Sequence, residues 1–203
     1  MKTKRLNKLA VFRDLGYEPH PGQRAVHLST ASRRVLACGV RSGKTLCAAM
    51  EGLAAALEPA ERSVGWVCAP TYDLADRVFR EIQYHALRSL SHRIESMKDH
   101  DRQIVLLNMG GGLSEIRAKS ADTPVSRLGD GLDWLIIDEA SRMRSHIWEQ
   151  HLSQRLVDKQ GWVLMLSTPR GKGWYWDAWR RGQPGGDPDY ESWNWPSRAN
   201  PIL

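Results

Sequence analysis

One loop constrains the fold of this chain more than any other segment, namely the glycine-containing basic stretch "CGVRSGKT" at residues 38–45. An apolar run at residues 33–39, typical of a buried strand, leads into it, and a strongly apolar helical stretch begins at Thr45. In this strand–loop–helix context the pattern G-x-x-x-x-G-K-S/T binds phosphate, because the loop and the helix N-terminus present backbone N–H groups. The stretch therefore predicts a P-loop in an α/β fold.

Each position of the loop has an expected role in that interpretation. Lys44 would reach the β- and γ-phosphates of a nucleotide, and the Thr45 hydroxyl would ligate Mg²⁺. Cys38 stands where the pattern has its first glycine, and a small residue can take the backbone angles of that position. A chance match in a basic turn is the alternative, which the flanking elements disfavour. The predicted nucleotide-binding residues of the loop are Cys38, Gly39, Val40, Arg41, Ser42, Gly43, Lys44 and Thr45.

Further apolar runs alternate with helical stretches, which is typical of a parallel sheet with crossover helices. Strands are predicted at residues 33–39, 63–70, 134–138 and 161–167, two more flank the glycine turn at 110–112, and helices are predicted at about 73–90 and 146–157. After residue 182 no periodic pattern is visible, and Trp193 and Trp195 there are open to base stacking or to packing. We predict a P-loop ATPase domain at residues 1–182 and a glycine- and proline-rich tail or linker at 183–203.

Composition argues against a membrane protein and limits the partners of the chain. With 41% hydrophobic and 26% charged residues the chain is typical of a folded protein, and no apolar run reaches the roughly 20 residues of a membrane span. Cys38, Cys47 and Cys68 lack C-x-x-C spacing, so neither a disulfide framework nor a zinc site is predicted. A net charge of +6 favours a polyanionic partner such as nucleic acid.

An acidic pair ends the apolar run "WLIID", and the segment continues as "DEAS". Asp138 would hold Mg²⁺ through its water shell, and Glu139 would orient and deprotonate the attacking water. Acidic pairs often end strands at protein surfaces, but the P-loop upstream favours the catalytic interpretation. Ser167 and Thr168, which end the next apolar run in "LSTPRG", would lie beside this pair and could sense the γ-phosphate; a strand that simply stops before a proline is the alternative.

Two further candidates lie outside the P-loop and the acidic segment. Gln23, in "PHPGQ", either reads the adenine edge with its amide, with Tyr17 stacking nearby, or belongs to an N-terminal turn, and the sequence leaves both open. Arg127, in the loop before the acidic strand, is by itself best explained as a solvated loop residue. An arginine there could also enter the site of a neighbouring subunit as a finger.

Taken together, these motifs resemble the ATPase domain of large terminase subunits, the motors that package DNA in tailed phages and related viruses. The matching segments are "PHPGQ", "CGVRSGKT", "CAPTYDLA", "KSADTPVSRLGDGLDWLIIDEAS" and "LSTPRGKGWYW", which cover about residues 17–176. The resemblance implies a three-layer RecA-like ASCE P-loop fold with a mostly parallel central sheet, and ATP and Mg²⁺ as cofactors. It implies a homo-oligomeric ring, expected to be a pentamer, around double-stranded DNA, with portal and small terminase subunit as partners, no membrane, and the cytoplasm of an infected bacterium.

The resemblance also assigns residues, with two departures. The family often carries an arginine four residues before the P-loop lysine, where this chain has Val40, with Arg41 one place later. The family's loop before the acidic strand often reads L-R-G, where this chain has R-L-G at 127–129. Arg127 is therefore the candidate for a finger acting in trans, and Arg41 for a cis contact to the γ-phosphate. The assigned motifs are adenine recognition by Gln23, Walker A with Lys44 and Thr45, Walker B with Asp138 and Glu139, and coupling by Ser167 and Thr168.

Two other classes stay open at this stage. The N-terminal half of a superfamily 2 helicase shares "DEAS" followed by "STP", but it needs a second RecA-like domain. A non-catalytic nucleotide-binding module would account for Cys38 and the displaced arginines, whereas Glu139 argues against it. Large terminases also carry a C-terminal nuclease domain; the acidic residues at 187, 189 and 191 are no substitute for its metal cluster, so we expect no DNA cleavage by this chain.

Overall fold

A computed structural model describes residues 6–122 and 131–200. In chain order its helices and strands are α1 (Lys8–Asp14), α2 (Pro21–Leu28), β1 (Arg33–Ala37), α3 (Lys44–Leu57), β2 (Arg62–Ala69), α4 (Tyr72–Ser89), β3 (Ile94–Lys98), β4 (Gln103–Leu107), β5 (Leu113–Ser120), β6 (Trp134–Asp138), β7 (Trp162–Ser167), α5 (Trp174–Arg181) and β8 (Tyr190–Trp193). The strands predicted around the P-loop and the acidic pair and the helix predicted at 73–90 are all observed, within two residues at each end.

All eight strands form one sheet in the order β3-β4-β5-β2-β6-β7-β1-β8. The pairs between β5 and β8 in that order are parallel, whereas β4 runs antiparallel to both of its neighbours, β3 and β5. The carboxyl ends of β1, β7 and β6 therefore meet at one edge, where Ala37 pairs with Ser167 and Asp138 with Leu166. That edge is where ligands bind in open α/β sheets.

Helices cover both faces of the sheet, which explains why the strands near the acidic pair do not alternate between apolar and polar residues. In β6, Trp134 and Ile136 belong to the core shared with α3 and α4, whereas Leu135 and Ile137 belong to the core on the opposite face, which includes residues of α5. Strands that are buried on both faces read as continuous apolar runs. The predicted three-layer α/β fold with a mostly parallel sheet is confirmed.

Two segments differ from the sequence-based expectation. The stretch predicted as one helix at 146–157 is a π-helical turn at Ile147–Leu152 followed by a 3-10 turn at Gln154–Leu156. The expectation of no regular element after residue 182 is wrong, because β8 pairs in parallel with β1 from Arg33–Tyr190 to Leu36–Trp193. A strand of four residues is too short to show a period, and its hydrogen bonds come from a partner far away in the sequence. The domain boundary after residue 182 itself stays a prediction.

Among the helices of the described ranges, none is both long and apolar enough to cross a bilayer.

Candidate nucleotide-binding site

The loop between β1 and α3 has the backbone of an anion-binding site. Gly43 is the N-cap of α3 and has φ 86° and ψ 8°, a left-handed conformation that favours glycine. No side chain caps the helix at this end, so the first N–H groups of α3 are available to a ligand. Backbone N–H groups and the positive end of the helix dipole together favour a phosphate at this position.

The cysteine at the first position of the motif is compatible with this loop. Cys38 is not among the described non-glycine residues with positive φ, so its position does not need the conformational freedom of glycine. Its backbone N–H donates to the Ser167 carbonyl at 3.1 Å, which continues the pairing of β1 with β7 by one residue. Burial raises the pKa of the Cys38 thiol to about 12, so the thiol is protonated and unreactive near neutral pH.

The P-loop lysine and the two candidate arginines lie in different environments. Lys44 is buried, and its Nζ donates to the Gly39 carbonyl at 3.2 Å, which bends the side chain back over the loop. Val40 and Arg41 are exposed at the tip of the loop, where Arg41 has a left-handed φ of 59°. Arg127 lies outside the described residues.

The acidic pair lies at the carboxyl end of β6. The Asp138 carboxylate is buried and accepts a hydrogen bond from the backbone N–H of Glu139 at 2.9 Å. Within residues 6–122 and 131–200, no basic side chain forms a salt bridge with Asp138. Burial raises the pKa of Asp138 to about 6, and the Glu139 charge adds to this, although the Glu139 N–H and the charges of Lys44 and Arg77 act in the opposite direction. A buried carboxylate without a cationic partner is well suited to bind an external cation.

These residues fit a magnesium ion that is held jointly with a nucleotide. The described ranges contain no group of three or more His, Cys, Asp or Glu side chains that could hold a metal by themselves. Mg²⁺ keeps several waters and is commonly bound by one or two protein oxygens together with substrate phosphates. Thr45, in the first turn of α3, and Asp138 can supply those protein oxygens.

The side chain of Glu139 lies among polar groups, two of which the sequence analysis missed. Glu139 has a left-handed backbone with φ 51° and ψ 39°, which is uncommon for a non-glycine residue and recurs at functional sites. Its Oε2 lies 3.3 Å from Arg142 Nε and accepts a hydrogen bond from Ser167 Oγ at 3.4 Å. Ser141 Oγ lies 2.7 Å from Ser167 Oγ and donates to the Thr168 carbonyl at 3.1 Å. Ser167 and Thr168 thus lie beside the acidic pair, as expected.

Arg142 and Ser141 escaped sequence analysis because both lie in a 3-10 turn at Ala140–Arg142, which the sequence does not reveal. The sequence did contain one indication of this contact, the three-residue spacing between Glu139 and Arg142, because a 3-10 turn brings side chains at that spacing together.

Gln23 holds the P-loop through its amide. The segment "PHPGQ" starts α2 with a capping box: His20 Nδ1 accepts from the Gln23 N–H at 3.4 Å, and Gln23 Oε1 accepts from the His20 N–H at 3.0 Å. Gln23 Nε2 donates to the Gly43 carbonyl at 3.0 Å, so both ends of the amide are bound within the protein. Adenine recognition by Gln23 stays a prediction and would require exchange of these bonds.

Tyr17, for which the sequence left stacking near a nucleotide open, packs into the protein core in the structure. Its side chain is buried in the core, with its ring edge-on to Phe12 at a centroid distance of 5.3 Å. Its hydroxyl lies 3.0 Å from His27 Nε2. Phe12 belongs to α1, a helix that the sequence analysis did not predict.

An α/β sheet with a P-loop after one strand and an acidic pair two strands away defines the P-loop NTPases, and this chain is one of them. Comparison with known families narrows the class, because residues 35–185 match the family described as terminase large subunit, T4likevirus-type, N-terminal. The chain belongs to this family, which confirms the resemblance inferred from its motifs.

Individual relatives agree with the family. The chain is 34% identical to the large subunit of terminase from Thermus phage G20c over 92% of its own length, and spans 45% of that relative. Its structure is similar to the large terminase ATPase domain of Thermus phage P74-26, with a TM-score of 0.82, 31% identity and coverage of 91% of this chain and 84% of that one. A large terminase from another thermophilic bacteriophage, in complex with ADP, shares the fold, with a TM-score of 0.72 at 16% identity over 91% of this chain and 47% of that one.

Proposed function

We propose that this chain is the ATP-hydrolysing domain of a viral large terminase, and that hydrolysis drives double-stranded DNA into a procapsid. The observation that carries the proposal is the buried Asp138, without a salt-bridge partner in the described residues, next to Glu139 at the carboxyl edge that also bears the P-loop. The similar protein of phage P74-26 is described as an ATPase domain, and the large terminase of the other thermophilic bacteriophage was solved with ADP.

Each residue of the site has its own role in the proposed hydrolysis of ATP. MgATP supplies the γ-phosphoryl group and the charge of the ion. The N–H groups of residues 40–45 and the Lys44 ammonium bind the phosphates, and Thr45 and Asp138 contribute oxygens towards the ion. Glu139 orients a water and accepts its proton at a carboxylate oxygen, which Arg142 and Ser167 now contact. Ser167 and Thr168 lie next to this carboxylate and are placed to respond to phosphate loss.

The partners follow from the family. In this proposal the domain works in a homo-oligomeric ring, as a pentamer, around DNA in the cytoplasm of an infected bacterium, together with a portal and a small terminase subunit. The net charge of +6 suits a polyanion. Arg127 acts in trans on the neighbouring site, and Arg41 is the cis candidate. We assign no nuclease activity to this chain.

Steady-state ATP turnover of the wild type and Glu139→Gln tests the proposal, at high protein concentration and with double-stranded DNA present. We expect Glu139→Gln to bind a fluorescent ATP analogue like the wild type and to turn ATP over roughly 10²- to 10⁴-fold more slowly, since that is the usual contribution of a general base. Glu149→Gln, a change at an exposed glutamate, is the matched control and should keep wild-type turnover. Nucleotide binding with equal background rates in all three proteins would instead identify a non-catalytic module.

A further inference from the structure

The carbonyl side of the P-loop is held by two side chains from distant parts of the sequence. Trp195 Nε1 donates to the Ser42 carbonyl at 3.1 Å. His20 Nε2 lies 3.3 Å from the same oxygen. His20 Nδ1 accepts the backbone N–H groups of Gly22 and Gln23, so Nε2 carries the proton and is the second donor to Ser42. One peptide oxygen of the P-loop therefore receives both hydrogen bonds.

Close packing supports these bonds. The Trp195 ring is 6% exposed and lies edge-on to the His20 ring at a centroid distance of 5.4 Å. A Cβ at Gly22 would lie 2.9 Å from the Trp195 ring, and a Cβ at Gly39 would lie 3.0 Å from the backbone nitrogen of Ser197. Glycine at these two positions lets the chain after β8 lie directly against the loop.

Backbone hydrogen bonds and side-chain bonds extend this contact along the loop. The Gly39 N–H donates to the Trp195 carbonyl at 3.2 Å, and Asn200 Nδ2 donates to the Arg41 carbonyl at 2.8 Å. The segment at residues 195–200 thus contacts the loop through the backbone of Gly39, Arg41 and Ser42.

We propose that Trp195 is a positioning residue for the P-loop and acts together with His20. In a planar trans peptide the C=O and the following N–H point in opposite directions. Donors that fix the Ser42 carbonyl on one side of the loop therefore aim the Gly43 N–H at the other side, where the phosphate binds. The loop is preorganised for the anion, and less of the binding free energy is lost in ordering it. The inference rests on the proposed function, because it concerns the same nucleotide site.

Trp195→Phe removes the indole N–H and keeps an aromatic ring in the same place. Trp179→Phe is the matched control, because the Trp179 indole also donates to a backbone carbonyl, that of Trp193 at 3.2 Å, without contacting the P-loop. His20→Asn is the second variant, since asparagine is a good N-cap but is too short to reach Ser42. Circular dichroism melting establishes that each variant is folded.

Two measurements decide the proposal. Without nucleotide, amide hydrogen exchange at Gly39 and Cys47, whose N–H groups are hydrogen-bonded at the two ends of the loop, should be faster in Trp195→Phe and His20→Asn, but not in Trp179→Phe. The Kd for mant-ADP with Mg²⁺ should rise roughly three- to tenfold in the same two variants, as expected for one lost hydrogen bond. Equal exchange and equal Kd in Trp195→Phe and Trp179→Phe would overturn the positioning role, even if the wild type binds nucleotide.

Failure of the proposed function gives a different result. If the wild type itself does not bind mant-ADP, the assignment of the nucleotide site is wrong. The exchange measurement then still decides whether Trp195 orders the loop. If Trp195→Phe does not fold, His20→Asn decides both measurements, because it removes the other donor to Ser42.

Discussion

Two buried acidic sites in this chain have opposite surroundings. Glu51 lies in the middle of α3. Its Oε2 is 2.5 Å from Arg34 Nη1 and 3.0 Å from Lys8 Nζ, and its Oε1 is 2.7 Å from His27 Nδ1. Asp138, at the end of β6, accepts a backbone N–H and has no salt-bridge partner among the described residues. Both carboxylates are almost inaccessible to solvent. Only one of them is neutralised by cations of the protein itself.

The proton affinities of the two carboxyl groups follow this difference. Burial on its own raises the pKa of both. For Glu51 the charges of Arg34 and Lys8 and the hydrogen bond from His27 outweigh burial, so that its pKa lies well below the ordinary value. For Asp138 burial prevails. The comparison shows that the surroundings of a buried carboxylate, rather than its burial alone, decide whether its pKa is lowered or raised.

The Glu51 cluster joins three helices and one strand. Lys8 comes from α1, His27 from α2, Arg34 from β1 and Glu51 from α3. Burial lowers the pKa of His27, so the ring is neutral, with Nδ1–H donating to Glu51 and Nε2 accepting from the Tyr17 hydroxyl. Because α2 also carries Gln23, which donates to the P-loop, and begins at the N-cap His20, the cluster helps to position these two side chains.

The largest effect should follow from Glu51→Ala. This change leaves the Arg34 guanidinium buried without its carboxylate, and breaking a buried ion pair in this way costs about 3–5 kcal/mol. We therefore expect the free energy of unfolding to fall by about that amount, as measured by urea denaturation at pH 7.

The double variant Arg34→Met/Glu51→Leu is the matched control. It replaces the pair by apolar side chains of similar size and should recover most of the lost stability. If the single variant is as stable as the wild type, the cluster is not a structural site and the contrast with Asp138 disappears.

In contrast to Glu51→Ala, Asp138→Asn should have a large effect on ATP turnover and a small effect on the free energy of unfolding. It removes a carboxylate that has no cation of its own, so the free energy of unfolding should change by less than about 1 kcal/mol. ATP turnover should fall about 100-fold, or about 2.7 kcal/mol, if the carboxylate contributes to metal binding as such groups usually do. The increase in Tm caused by Mg²⁺ and ADP together should also become smaller than in the wild type.

Asp158→Asn, at an exposed aspartate, serves as the control and should behave like the wild type in both measurements. A loss of several kcal/mol in the unfolding free energy of Asp138→Asn would mean that this carboxylate is structural as well.

The same contrast explains how much the sequence could predict. The P-loop and the acidic pair are short local patterns next to strands buried on both faces, and both were located within two residues. The Glu51 cluster was not predicted, because its partners come from segments separated by 17 to 43 residues. In the sequence, Glu51 is one polar residue in an apolar helix, and nothing local indicates the three basic side chains around it.

The contact of Trp195 with the P-loop was missed for the same reason, since it joins positions 153 residues apart. Sequence analysis left Trp195 open between stacking and packing, and the structure packs it against the loop. The sequence predicts an ordinary helix where the π-helical turn at Ile147–Leu152 lies, because the apolar spacing of so short a segment does not distinguish the two. Local motifs were therefore predicted well, whereas contacts between distant segments were not.

The smallest effect that we expect is a dependence of the free energy of unfolding on pH, caused by protonation of Glu51. The folded pKa of Glu51 is lowered from its ordinary value of 4.5, so its contribution is complete above that pH and is lost as the pH falls. For a folded pKa far below 4.5, the loss is about 1 kcal/mol at pH 4 and about 2 kcal/mol at pH 3. The groups facing Glu51 are Lys8, His27 and Arg34, with Cys47 and Tyr17 nearby.

Urea denaturation of the wild type and Glu51→Gln between pH 7 and pH 3 measures this loss. His27, with its lowered pKa, destabilises the wild-type fold in the same direction from about pH 6.5 downwards, so a decline in the wild type alone does not identify Glu51. The difference between the free energies of unfolding of the two proteins does identify Glu51, because Glu51→Gln has no carboxyl group to protonate at this position. The two curves should converge below pH 5, whereas parallel curves down to pH 3 would mean that the charge of Glu51 does not stabilise the fold.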